Sequence, residues 1–75
     1  MDNVRKAIIS DLWEKLTMIL EDIEQVLEDE EEFMDDLPDN SEHYKESRNA
    51  CNNLTQGMES IGNAANNLAK ILNWK

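Results

Sequence analysis

Apolar residues recur at spacings of three and four along the first half of the chain, a period typical of one face of an α-helix. The series comprises Ile9, Leu12, Leu16, Ile19, Ile23, Val26, Phe33 and Leu37. Only Glu30 interrupts it. Such a ladder is the seam of a helix that packs against another in the manner of a coiled coil. The pattern therefore predicts a first helix over about residues 3–36, on the order of 50 Å long.

A second apolar column runs beside this seam. It consists of Trp13, Leu20, Leu27 and Met34, which repeat every seven residues. With this column the apolar stripe is three heptad positions wide, which is the width of a bundle helix. One partner helix cannot cover so wide a stripe. We therefore expect the column to stay exposed and, together with Trp74, to form an apolar contact surface for a second copy of the chain or for a different protein.

Pro38 marks the end of the first helix, because proline disfavours helical geometry at the residue before it. The turn is predicted over residues 37–41. Asp39, Asn40 and Ser41 are candidate N-caps of the next helix, and Asp39 with Glu42 has the spacing of a capping box. A connection this short makes the two helices antiparallel neighbours.

The second half of the chain carries its own ladder, again with spacings of three and four. This ladder comprises Tyr44, Ser47, Cys51, Leu54, Met58, Ile61, Ala65, Leu68 and Leu72. It predicts a second helix over about residues 41–73. The outer face of that helix is rich in asparagine, a poor helix former, so packing must hold the helix in place.

The fold class predicted by the two ladders is all-α. Residues 1–75 form one domain, an antiparallel two-helix hairpin, and we expect it to dimerise into a four-helix bundle, since so short a chain has little core of its own. In this hairpin Glu30 lies on the seam, and Arg48 of the second helix is its expected partner.

The net charge of the chain is carried by its first half. The net charge is −10 over 75 residues; residues 1–37 hold thirteen acidic and three basic side chains, whereas residues 38–75 hold four of each. So acidic a chain is not expected to bind nucleic acid or an anionic membrane directly. No apolar run has the length of a membrane span or a signal peptide. Cys51 is the only cysteine, which indicates a reducing, cytoplasmic setting without an internal disulfide.

Most of the acidic residues lie on one stretch of the first helix, about 24 Å long by helical rise. They are Glu21, Asp22, Glu24, Glu28, Asp29, Glu31, Glu32, Asp35 and Asp36. A solvated helix face that keeps the bundle soluble is one interpretation. However, acids near a helix C-terminus oppose the helix dipole, and pairs such as Glu24 and Glu28 repel one another. The alternative interpretation is a binding surface for a basic partner, in which spaced carboxylates mimic a nucleic acid.

Catalytic and metal-binding chemistry have little support in the sequence. His43 and Glu46 lie one helical turn apart, but the further inward carboxylates of a di-iron bundle are missing, and no calcium-binding loop is present. Cys51 has no nucleophile–base arrangement around it and fits a small core residue. We therefore expect no enzyme activity, no metal and no cofactor.

The turn and its flanks resemble a group of small acidic helical-hairpin proteins encoded by phages and prophages of Gram-positive bacteria. The resemblance rests on the segment LPDNSEHY over residues 37–44, on DEEEF over residues 29–33 and on heptads ending in Asn53-Leu54, Ser60-Ile61 and Asn67-Leu68. It implies a phage accessory protein that acts inside a bacterial cell. Such proteins often bind and block a host enzyme or defence system, as several anti-CRISPR inhibitors do.

These observations lead to two expectations of function. The first is a protein-binding inhibitor whose acidic face occludes a basic, nucleic-acid-binding surface of a host defence protein. The second is a structural or assembly bundle of a phage, in which the acidic face only keeps the protein soluble.

Overall fold

The chain folds into two long helices that pack against each other as an antiparallel hairpin. The structure, a computed structural model, describes residues 2–73, so the expectation for Trp74 lies outside the described residues. Helix α1 spans Asn3–Asp35 and helix α2 spans Glu42–Leu72. The Cα atoms occupy a rod of 55 × 14 × 13 Å. The prediction of an all-α, two-helix hairpin is confirmed.

Side-chain caps begin both helices. The carboxylate of Asp2 accepts a hydrogen bond from the backbone N–H of Arg5 at 2.8 Å. At the turn, the hydroxyl of Ser41 accepts from the N–H of Tyr44 at 3.0 Å and donates to the carbonyl of Pro38 at 2.9 Å. Among the three candidate N-caps, Ser41 is therefore the one that begins α2.

The interface between the helices is narrow and is centred on small residues of α2. The buried residues are Ser47, Cys51 and Ala65, and no large side chain within residues 2–73 is fully buried. The larger ladder residues, such as Leu54 and Leu68, are half-buried. A core this thin leaves much apolar surface in contact with water.

One prediction about α1 is wrong. The column Trp13, Leu20, Leu27 and Met34, expected to be exposed, is half-buried in the hairpin. The neighbouring column of the stripe is exposed instead: Leu12, Ile19, Val26 and Phe33. Helix α2 covers only two of the three adjacent apolar columns of α1. The small side chains of Ser47, Cys51 and Ala65 leave room for the column that contains the bulky Trp13.

Candidate functional site: an acidic surface and an apolar side face

Nine carboxylates of α1 form a continuous exposed surface, here called the acidic surface. Its members are Glu21, Asp22, Glu24, Glu28, Asp29, Glu31, Glu32, Asp35 and Asp36, and every one is exposed. Helix α1 holds them on a regular scaffold whose last turn contains no basic residue. The only side-chain hydrogen bond to this surface within residues 2–73 is donated by the Gln25 amide to Asp29, at 3.2 Å.

Within residues 2–73, no basic side chain lies within ion-pair distance of the nine carboxylates of the acidic surface. The ion pair between Lys15 and Asp11, at 2.8 Å, lies further toward the N-terminus, and its hydrogen bond raises the pKa of Lys15. His43 approaches Glu46 at 4.0 Å on α2. The nine carboxylates are therefore exposed without an ion pair among the described residues.

Glu30 differs from the other acids of this stretch, because it is half-buried and lies in a groove on one side of the hairpin. Arg48 lies in the groove on the opposite side, together with Glu31 and Asp35. The expected pair between Glu30 and Arg48 is therefore wrong, since the interface between the helices separates the two side chains. Arg48 borders the acidic surface without forming an ion pair with it.

The groove that contains Glu30 belongs to an apolar side face. On α1 this face carries the exposed column Leu12, Ile19, Val26 and Phe33, here called the apolar strip; these side chains are 43 to 54 % exposed. On α2 it carries a column of small residues that repeats every seven positions: Ala50, Gly57 and Ala64. The groove between the two columns is lined by Ile23, Val26, Glu30, Ala50, Asn53, Leu54 and Gly57. Large residues thus project from one edge of the groove, and small ones form the other.

Sequence reasoning placed the acidic surface on α1 but missed the apolar strip. The ladders identified which residues are apolar, but they did not decide which outer column of α1 faces α2. The signal that bears on this question was the column of Ala50, Gly57 and Ala64, because small side chains of α2 cannot cover large ones of α1 on the same side. The column lies directly beside the ladder of α2, and two of its members, Ala50 and Gly57, line the groove together with Val26.

Cys51 and His43 are the remaining candidates for catalytic or metal-binding chemistry. Burial raises the pKa of the Cys51 thiol, and the carboxylates of Glu31 and Glu30 raise it further. The neutral thiol is therefore favoured, as expected for a small residue of the interface. His43 is exposed in the first turn of α2. Within residues 2–73, no three His, Cys, Asp or Glu side chains converge in a way that could hold a metal ion.

Neither described helix combines the length and the apolar character needed to cross a membrane. Comparison with protein families, with curated proteins and with solved structures finds no significant match to this chain. The geometry of the acidic surface and of the side face therefore carries the functional argument.

Proposed function

We propose that this protein is a non-enzymatic protein-binding module whose acidic surface occupies a basic, nucleic-acid-binding surface of another protein. The observation that carries the proposal is that all nine carboxylates are exposed and that none forms an ion pair within residues 2–73. Such a surface attracts a basic partner over several ångströms and speeds the encounter. Selection for stability alone favours lysines among these acids, because like charges one helical turn apart are destabilising.

The spacing of the charges supports mimicry of a nucleic acid. Nine charges over about 24 Å of helix correspond to about one per 2.7 Å. Duplex DNA carries about one negative charge per 1.7 Å of axis, and each of its strands about one per 3.4 Å. The linear charge density of the acidic surface therefore lies between that of a single strand and that of a duplex. A groove lined by lysine and arginine to hold phosphates can hold these carboxylates by the same electrostatics.

The resemblance of roughly residues 20–68 to phage accessory proteins suggests the setting in which such a module acts. In that setting the partner is a host defence protein inside a bacterial cell, and the module is an inhibitor of the anti-defence type, of which anti-CRISPR proteins are one class. The −10 net charge of the chain supports a target that normally binds nucleic acid.

A structural role in an assembly is the second candidate. The exposed apolar strip favours it, because an uncovered row of apolar side chains marks a contact surface. In that case the acidic surface only keeps the assembly soluble, and its charges can be replaced without loss of binding.

Capture of a partner by tagged protein tests the proposal. Tagged protein is incubated with bacterial lysate at about 50 mM and about 500 mM NaCl, and the retained proteins are identified by mass spectrometry. We expect a basic nucleic-acid-binding protein that is retained at low salt and released at high salt, because screening weakens contacts between exposed charges. A variant in which Glu28, Asp29, Glu31 and Glu32 are replaced by lysine should lose this partner.

A matched control separates the acidic surface from net charge. Replacing Glu14, Asp39, Glu46 and Glu59 by lysine changes the charge by the same amount, and all four residues are exposed outside the acidic surface. This control should keep the partner. Retention of the partner by the first variant would refute the proposal and support the structural role.

A further inference from the structure

The hairpin exposes more surface to solvent than a compact globular monomer of the same mass. Its accessible surface is 5873 Å² for 8.7 kDa, whereas a globular monomer of that mass exposes about 4,700 Å². The radius of gyration of 17.0 Å likewise exceeds the value of about 11 Å for a compact chain of 75 residues. Part of the exposed surface is apolar, because the side chains of the apolar strip are about half exposed. The fold is therefore incomplete on the side face that carries this strip.

The groove of the side face has the geometry of a packing hole. Its lining residues on α2 are Ala50, Asn53, Leu54 and Gly57. These positions are related as i, i+3, i+4 and i+7, which is the set of four residues that receives one side chain in knobs-into-holes packing. Ala50 and Gly57 lack large side chains, so the hole is open. Val26 of the same chain lies at the level of this hole but on the α1 side of the groove.

We propose that a second copy of the chain covers the side face, with its two-fold axis parallel to the long axis of the hairpin. Such an axis keeps every residue at its own level and places α1 of one copy against α2 of the other. The partner's Val26 then enters the hole formed by Ala50, Asn53, Leu54 and Gly57. The heptad spacing repeats the arrangement: the partner's Ile19 meets the gap between Gly57 and Ala64. The result is a four-helix bundle in which all adjacent helices are antiparallel.

The distribution of charge favours the same arrangement. Helix α2 has three acidic and three basic side chains within Glu42–Leu72, so α1 of each copy packs against a neutral helix. The two acidic surfaces then lie on diagonally opposite helices. The reversed dimer, with the turns at opposite ends, places α1 beside α1. That arrangement sets the large residues of one α1 against those of the other and the small residues of one α2 against those of the other, which leaves the holes empty.

The size of the side face is sufficient for a stable dimer. A face of 55 × 14 Å offers on the order of 800 Å², which is about the area that each partner contributes to a standard interface. Association through this face leaves most of the acidic surface uncovered; Asp22 and Asp29, one helical turn from Val26, lie at the edge of the interface. The dimer is therefore compatible with the binding function but does not depend on it.

Sedimentation equilibrium of the full chain and two lysine variants tests the dimer. The wild-type chain should sediment with twice its monomer mass at micromolar concentration. Val26→Lys should weaken association by at least about 100-fold, because a long charged side chain does not fit the apolar hole that receives Val26. Met18→Lys is the matched control, since Met18 is an exposed apolar residue of α1 outside the apolar strip; it should leave the dimer intact. A monomeric wild-type chain, or a dimeric Val26→Lys variant, would overturn the proposal.

Substitutions at two glycines test the hole without adding charge. A Cβ atom at Gly57 or at Gly62 meets nothing within 4 Å, so a side chain can begin at either position without clashing in the hairpin. Gly57→Leu should fill the hole and produce a helical monomer, as judged by circular dichroism and sedimentation. Gly62→Leu, on the other side of α2, should remain dimeric. Equal behaviour of the two variants would contradict the assignment of the hole.

The orientation of the dimer is tested by a spin label at the turn. The label is attached to Asn40→Cys in a Cys51→Ala background, so that it occupies a single exposed site. With the turns at the same end, the two labels should lie within about 30 Å of each other, given a helix spacing of about 10 Å. A label separation close to the 55 Å length of the rod would exclude the parallel two-fold axis.

Discussion

At the scale of the residue, three small side chains of α2 determine which part of α1 is covered. Among residues 2–73 the buried ones are Ser47, Cys51 and Ala65, and their small volume leaves room for large neighbours. The column that begins at Trp13 uses this room, whereas Phe33 and its column are left in contact with water. The ladder predicted from the sequence contains all of these residues, but a ladder does not specify the rotation of one helix about its axis. That rotation depends on the volumes on both helices at once.

Cys51 gives this interface a measurable pH dependence. Its pKa is raised from the ordinary value of 9.0, chiefly by burial and further by Glu31 and Glu30. The unfolded chain therefore loses the thiol proton at a lower pH than the folded chain. The stabilising contribution is present in full below pH 9 and is lost as pH rises from there through the higher folded pKa.

Urea denaturation at pH 7 and at pH 10 tests this linkage. The free energy of unfolding of the wild-type chain should fall more between these two pH values than that of Cys51→Ala, which lacks the thiol. The two proteins share every other ionisable group, so the difference isolates Cys51. An identical pH dependence in the two proteins would show that the thiol is not responsible.

At the scale of the element, the sequence predicted the helices well because their periodicity is local information. Both ladders and Pro38 can be read directly from the amino-acid sequence. The structure has helices at Asn3–Asp35 and Glu42–Leu72. The cap of α2 was not decided by the sequence, since Asp39, Asn40 and Ser41 are all suitable residue types. The backbone path of the turn selects Ser41, whose hydroxyl lies 3.0 Å from the N–H of Tyr44.

Alanine substitution distinguishes the cap from its neighbour. Ser41→Ala should lower the free energy of unfolding by about 1 kcal/mol, because it removes the acceptor for the Tyr44 N–H and the donor to the Pro38 carbonyl. Asp39→Ala, at an exposed position of the turn, should change it by less than about 0.5 kcal/mol. Thermal or urea denaturation at one protein concentration measures both. A larger loss of unfolding free energy for Asp39→Ala than for Ser41→Ala would contradict the assignment of Ser41 as the cap.

At the scale of the whole molecule, the hairpin is a rod with two distinct exposed surfaces. The acidic surface follows α1 toward the turn, and the apolar side face runs along the length of the groove between the helices. The acidic surface could be predicted from the sequence, because charged residues on a helix are exposed almost wherever the helix is placed. The side face could not, because it requires the rotation of α1 and the register of α2 together. Association with a second copy through this face leaves most of the acidic surface available to a basic partner.

Competition for a captured partner tests the central claim most directly. The partner retained at low salt is saturated with a fluorescent oligonucleotide, and the protein is titrated into the complex while fluorescence anisotropy is followed. If the acidic surface occupies the nucleic-acid-binding surface, the oligonucleotide is displaced to completion, and the variant with lysine at 28, 29, 31 and 32 displaces none. A ternary complex, in which the partner holds the protein and the oligonucleotide at the same time, would contradict the claim.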